Sequence, residues 1–396
     1  MTRTEERLID ALDAVGRSVR QETLPPLPAR GPATGPRRWG RWLAPLAAAA
    51  SVVLIVVAIS AVPQFSGPPP QRQAMSPPRY YATLGEGGIV IRATATGTMT
   101  GTVPNERPGH GGFGRYASSV AAADGGREFV VAYSGTVASY AAKTWLYSFR
   151  LTSAGRVTGL TPVRGGVFTG LLAASVMAVS PDGSNVAVVL NHPLDPSVGT
   201  PPAELGVVNL RTGQQTLWTG GMNRAGLEFN IANVSWERDG RSLVFLAVWC
   251  RSEVFGSEYC TAGPHDAQVR TLRLTPGGGR LSQGGVLLAD SRRYPDIIQA
   301  LLGPGGKSLT VVVLTGRAVG RLNPQPRYMQ VVQVPLAGGR PRVLFRGAMG
   351  GYADVFLGSD ASGRYLLLAW GRNGWIDHGR LRPLPPQGGM AFTDAW

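Results

Sequence analysis

Cysteine, lysine and histidine are all scarce in this chain of 396 residues, and each shortage removes a class of function. Two cysteines, Cys250 and Cys260, exclude a Cys-rich zinc scaffold and a disulfide-dense mini-domain. The four histidines, at 110, 192, 265 and 378, are too scattered for any pair to have metal-ligand spacing, and no acidic loop follows a calcium pattern. With only 16% charged residues the chain is neither a coiled coil nor a polar disordered polymer. Lysine occurs twice among 39 basic residues, so the net charge of +15 is carried by arginine and favours polyanions over cations. No Gly-x-Ser-x-Gly elbow presents a nucleophilic serine. The only adjacent acid and imidazole pairs are His265-Asp266 and Asp377-His378. Gly109 to Gly114 has G-x-G-x-x-G spacing but lies between strand-like runs rather than between a strand and a helix. Gly303 to Ser308 ends like a phosphate loop, yet Leu301 stands where its first glycine belongs. No catalytic residue, cofactor or metal is therefore expected.

One long apolar run is present. Leu43 to Val62 contains no charge over twenty positions, about 30 Å as a helix and enough to cross a bilayer. Forty-two residues precede it, which suits a retained anchor better than a signal peptide. Arg37, Arg38 and Arg41 flank it on one side and a Pro-rich stalk on the other, so the positive-inside rule puts the N-terminus in the cytoplasm. In the cytoplasmic segment Thr2 and Glu5 form a capping box, and Leu8, Leu12, Val15 and Val19 share one face of a short helix. That face lies on the inner leaflet or docks a cytoplasmic regulator by the helix-in-groove mode.

Beyond Arg79 the chain alternates β-branched runs with glycine turns, and it repeats. One turn type recurs at Asp124-Gly125, Asp182-Gly183, Asp239-Gly240, Gly305-Gly306 and Ser362-Gly363, with spacings of 58, 57, 66 and 57 between the second residues. A second recurs at Thr96-Gly97, Ala154-Gly155, Thr212-Gly213, Gly277-Gly278, Gly338-Gly339 and His378-Gly379. Two turns per period mean two hairpins, hence four strands and a propeller blade. The Asp-Gly turns are expected to be two-residue hairpins of type I′. Six turns of the second type against five of the first leave one blade without its inner strand, and Met390 to Trp396 is the run that completes it.

Ala178-Val179-Ser180-Pro181-Asp182-Gly183 and Val234-Ser235-Trp236-Glu237-Arg238-Asp239-Gly240, each followed by an apolar strand, resemble the repeats of TolB-like and WD-type propellers over residues 79–396. The overall plan is similar to that of uncharacterised single-pass membrane proteins of actinobacteria. The resemblance implies a binding scaffold and does not itself give a function.

The expected fold is all-β: a six-bladed β-propeller whose C-terminal strand closes the first blade, preceded by a short cytoplasmic helix and one transmembrane helix. Residues 1–42 form the basic tail, 43–62 the span, 63–78 the stalk and 79–396 the extracytoplasmic ring. Cys250 and Cys260 bracket an insert carrying Phe255 and Tyr259; an outside location permits a disulfide, stabilising by roughly 2–3 kcal/mol, the alternative being two buried thiols. Most of the tryptophans are expected to pack between blades. Eight of the 39 basic and five of the 24 acidic residues precede the span, leaving 31 against 19 outside, which suits anionic envelope polymers or headgroups. Nucleic acid is disfavoured by compartment. The expected function is a membrane-anchored, non-catalytic binding or sensing protein for an envelope ligand, signalling inward through its helix. The alternatives are a membrane-bound anti-sigma-like regulator, an extracytoplasmic hydrolase and a structural envelope protein.

Overall fold

The structure, a computed structural model, describes residues 77–106, 114–123, 126–136, 142–193, 203–221, 228–250, 267–289, 293–294, 296–303, 306–315, 328–348, 355–360, 365–369, 373–377, 380–384 and 394–395. They belong to one compact unit, Met75–Trp396. No helix among them is long and apolar enough to cross a membrane. The expected helix with Leu8, Leu12, Val15 and Val19, and the span over 43–62, lie outside the described residues.

Six four-stranded antiparallel units are laid down in chain order. Blade one contributes β1 (Tyr80–Gly85), β2 (Gly88–Ala93) and β3 (Met99–Pro104). Blade two holds β4 (Tyr116–Ala122), β5 (Glu128–Thr136), β6 (Ala142–Leu151) and β7 (Val157–Thr169). Blade three holds β8 (Leu172–Val179), β9 (Asn185–Asn191), β10 (Glu204–Asn209) and β11 (Gln215–Thr219). Blade four holds β12 (Glu228–Trp236), β13 (Ser242–Cys250), β14 (Ala267–Arg273) and, after a short β15 (Gly279–Arg280), β16 (Gly285–Ala289). Blade five holds β17 (Ile297–Leu302), β18 (Ser308–Thr315), β19 (Tyr328–Pro335) and β20 (Arg342–Ala348). Blade six holds β21 (Phe356–Ser359), β22 (Leu366–Ala369), β23 (Asn373–Asp377) and β24 (Arg380–Pro383). Finally β25 (Asp394–Ala395) returns to blade one and pairs with β1, Ala82 opposite Ala395 and Thr83 opposite Asp394. The inner strands β25, β4, β8, β12, β17 and β21 each touch the next, and β21 touches β25, so the ring is closed. This is the closure that the turn count predicts.

The turn of blade three corrects the expectation. In blade three Ser180 and Asn185 bracket a four-residue loop, with Ser180 N bonded to Asn185 O at 2.8 Å and Gly183 N to Ser180 O at 2.8 Å. Only Gly183 has positive φ, +66°, so the loop is not the expected two-residue turn of type I′. Asp182 instead makes its own cap: its carboxylate accepts from Ser180 Oγ (2.5 Å), Ser184 Oγ (2.6 Å) and Ser184 N (3.1 Å). Asp239 repeats this with Arg241 N, Ser242 N and Ser242 Oγ. In blade two Gly126 has positive φ, +61°, and lies 57 residues before Gly183, as Gly183 lies before Gly240; Asp124 and Gly125 lie outside the described residues.

Between neighbouring blades the strands bury apolar faces. Phe129, Val131 and Phe149 meet Ala82, Ile89 and Ile91 between blades one and two; Val186, Val188 and Leu190 meet Val130 and Leu146 between two and three. Similar clusters fill the seams from three to four, four to five and five to six. The closing seam from six to one has the smallest cluster among the described residues, Tyr81 against Tyr365, Leu367 and Leu384. At about 1.5–3 kcal/mol for each large apolar side chain fully buried, these seams hold the ring together. Within a blade burial falls outward, from the continuously buried β9 to the mostly exposed β11. Blade four adds a strap: β15 leaves its own blade and pairs in parallel with β11, Trp218 opposite Gly279, which covers the outer edge of blade three. Gly278 (φ +71°) permits this, since a Cβ there would stand 2.2 Å from Leu217 O.

The Asp182 cap predicts an acid-sensitive contribution. Hydrogen bonds from Ser180 and Ser184 lower its carboxyl from 3.8 to about 2, so the stabilisation is complete above the unfolded value and is lost as pH falls through about 2. Because the side chain is exposed, its worth is discounted to about 1 kcal/mol. Urea unfolding should show Asp182→Asn less stable by that amount at pH 7, with the difference from the native chain shrinking between pH 4 and pH 2.

Candidate functional site

Antiparallel alternation sorts the loops. In blades two to six the connections from first to second and from third to fourth strand emerge at one end of the ring, and those from second to third strand, with the links between blades, emerge at the other. The first group is short except in blade four, where 274–284 carries the strap β15. The second includes 251–266 between β13 and β14 and 316–327 between β18 and β19. Inner strands also bend near that second end: β4, β12 and β17 carry register shifts at Ala117/Ser119, Ile231/Asn233 and Ile297/Gln299, and β8 a larger one at Ala173/Met177. Bulges of this sort re-aim side chains near sites. Past them Asn233 Nδ2 donates to Gln299 Oε1 across the seam between blades four and five.

The richest described chemistry at the long-loop end lies over the seam of blades one and two. Glu106 and Arg115 pair through their backbones at 3.0 and 3.1 Å and close the stem of the loop that holds residues 107–113. Arg115 also reaches Glu106 Oε2 at 2.9 Å, donates to Tyr147 Oη at 2.8 Å and lies 4.4 Å over the ring of Trp145, which has Lys143 Nζ at 5.6 Å. Trp145 and Tyr147 alternate on β6 and so share the face toward blade one. Beneath them Tyr133 donates to Pro104 O at 2.9 Å; burial first, then the nearby Glu106 and Tyr147, pushes its phenol up to about 12, so it stays a donor.

A second pair brackets the loop between β9 and β10. His192 Nε2 lies 2.9 Å from Glu204 Oε1, while Glu204 Oε2 is buried and has no partner. Sequence reading missed both clusters. The signals were the i, i+2 aromatics Trp145 and Tyr147 on one strand, and a histidine and a glutamate at either end of one loop. At the opposite end a cleft of about 430 Å³ opens beside the strap, lined by Trp218, Glu237, Ser242, Thr271, Arg273 and Gln283. Arg270 fixes that strap, donating to Gly284 O at 2.6 Å, Ser282 O at 2.9 Å and Gln268 Oε1 at 2.6 Å. Among the described residues no group of three His, Cys, Asp or Glu could hold a metal.

Of the residues singled out from sequence, Cys250 is the last of β13, opposite Glu228. Its side chain, Cys260, Phe255 and Tyr259 lie outside the described residues, as do His110, His265, Asp266 and His378. Trp218 and Trp236 do pack between blades three and four, Trp236 donating to Ala178 O at 3.0 Å.

No protein family and no curated protein matches the sequence. Solved structures match in fold. The tricorn protease is 9% identical with a TM-score of 0.44, covering 78% of this chain and 33% of that one, so this chain spans about a third of it. The periplasmic gluconolactonase of Pseudomonas aeruginosa is 15% identical with a TM-score of 0.43, covering 78% of this chain and 95% of the other. The Cps50 (Swd1) β-propeller domain of Myceliophteria thermophila is 12% identical with a TM-score of 0.42, covering 79% and 84%. At these identities the likeness concerns the fold alone. It corrects the expectation that the chain is not an enzyme: structures with enzyme names are among these neighbours, so the scaffold is no ground for excluding catalysis.

Arg115 predicts the behaviour of the loop stem. Arg115→Ala should lower stability by about 1–2 kcal/mol, through the lost cation–π contact and hydrogen bonds. It should also shift indole fluorescence to the red as Trp145 gains water, while Arg115→Lys keeps the charge but not the fork. Unchanged emission in Arg115→Ala would show that the stem does not depend on this stack.

Proposed function

We propose that this chain is a membrane-tethered extracytoplasmic recognition protein whose propeller binds an envelope ligand at the long-loop end. In the same reading its N-terminal segment, with Leu8, Leu12, Val15 and Val19 on one face, meets a cytoplasmic regulator. The observation that carries the reading is the difference between the two ends of the ring. Short self-capped turns such as Ser180 to Asn185 occupy one end, and longer connections, one of them on the braced Arg115–Trp145–Tyr147 stem, occupy the other. Loops set on a rigid scaffold are where binding residues concentrate. The uncharged stretch 43–62 behind three arginines supports the tether, and the surplus of arginine beyond it supports an anionic ligand.

Photo-cross-linking of the full-length protein in its own membranes tests this. A photoreactive residue at Tyr116, 58% exposed on the long-loop end, should give a discrete adduct with an envelope component, and one at the exposed Thr212 on the other end should not. In the same membranes, changing Leu8, Leu12, Val15 and Val19 to Ser should release a co-purifying cytoplasmic protein. Adducts from Thr212 alone, or none from either position, would overturn the assignment of the binding end.

A further inference from the structure

The closing seam holds donors without acceptors. Arg92 donates Nη1 to Gly97 O at 3.0 Å, but its Nε is buried and meets no acceptor. Thr94, only 7% exposed, has a buried Oγ1 that is also unpartnered. Both side chains face the same way. Arg92 opposes Tyr81 across β1 and β2, and opposed residues of an antiparallel pair share a face. Thr94 follows two residues later with the ladder still intact, its N bonded to Arg79 O at 2.9 Å. Tyr81 packs on Tyr365, Leu367, Leu384 and Trp375 of blade six, so this is the face that meets blade six.

Blade six presents arginine on its side of the seam. Leu367 opposes Trp375 and Trp375 opposes Arg382, which sets Arg382 on the facing wall; Arg380, two residues earlier, opposes Asp377 there. Arg380 and Arg382 are exposed and make no ion pair among the described residues. Among the described residues the two walls thus carry Arg92, Arg380 and Arg382, with Arg79 in register opposite Thr94, against the carboxylates of Asp377 and of Asp394, which stands in register opposite Thr83. Leaving a buried donor unmet is costly, and a guanidinium is shaped to receive an oxyanion in the plane of its fork.

We infer that the seam between blades six and one is a binding site for a tetrahedral oxyanion, a phosphoryl or sulfate group, received by Arg92 Nε and Thr94 Oγ1 in the field of Arg380 and Arg382. The inference is independent of the membrane tether and of the long-loop site. An anion there bridges the seam with the smallest apolar cluster and so favours the closed ring over the unfolded chain, as any ligand of the native state does.

Thermal unfolding of the full-length protein, titrated with sodium phosphate at ionic strength held constant with chloride, tests the site. The melting temperature should rise and saturate. Thr94→Val keeps the side-chain shape and removes the orphaned hydroxyl; it should be at least as stable as the native chain without phosphate, yet need about tenfold more phosphate for half the rise. Arg92→Gln should abolish the saturable rise. Glycerophosphoglycerol in a parallel titration separates the sources: a stronger response to this diester assigns a lipid headgroup, a stronger response to phosphate a free anion, and both support the site. A rise that does not saturate, or one that is the same in both variants, is the general stabilisation that an excluded, salting-out anion gives any folded state, and overturns the inference.

Discussion

The whole ring hangs on one short pairing. Five blades are each built from a continuous stretch of chain, but blade one starts at its second strand, which leaves the inner edge of β1 open. Only the return of Asp394 and Ala395 to Thr83 and Ala82 covers that edge. An open edge is a site for wrong pairing, and an open ring exposes two seam faces to water. Everything else in the fold presupposes this closure, including the position of the long loops around one rim and the meeting of Tyr81 with Tyr365 and Leu367.

The repeat explains why the two ends of the ring differ. At the short-turn end each glycine turn is satisfied locally, as by Asp182 and Asp239, and turns of neighbouring blades come together: a Cβ on Gly240 would lie 3.7 Å from Asp182 Oδ1. Such packed turns satisfy their own carboxylates, and the unmet donors among the described residues at this end, Arg92 Nε and Thr94 Oγ1, lie at the closing seam. At the other end the inner strands bulge, polar side chains such as Asn233 and Gln299 pair across seams, and Arg115 braces a loop stem rather than a hairpin. Rigidity and chemical variety therefore coincide at the long-loop end, a combination that recognition requires. The likeness to other propellers adds the fold and leaves the chemistry to these residues.

Much of the ring was legible because its signals are local. Asp182-Gly183, Asp239-Gly240 and the apolar strands after them mark hairpins at a fixed period, and a count of turns reveals the missing strand without knowledge of any contact. The turn geometry was not legible, because Asp-Gly satisfies both a two-residue turn and a longer loop; the choice was made by Ser180 and Ser184, whose hydroxyls stabilise the Asp182 carboxylate. The strap was hidden for another reason, since nothing in Gly279-Arg280 announces a strand that pairs with the preceding blade. The candidate sites were least legible. Arg115 meets Tyr147 over 32 residues and His192 meets Glu204 over 12, and such encounters depend on strand pairing within a blade rather than on sequence spacing.

Hydrogen exchange on β1 measures closure most directly. In the native chain the β1 amides should be protected like those of β5 and β9, the corresponding second strands of blades two and three. Ala395→Pro removes a donor and constrains the strand that closes blade one without shortening the chain. The account predicts that this single change speeds exchange in β1 and around Tyr365, while β9 is unaffected until global unfolding. Unchanged protection of β1 in Ala395→Pro would show that blade one stands without its returning strand, and would contradict the closed ring as the basis of the structure.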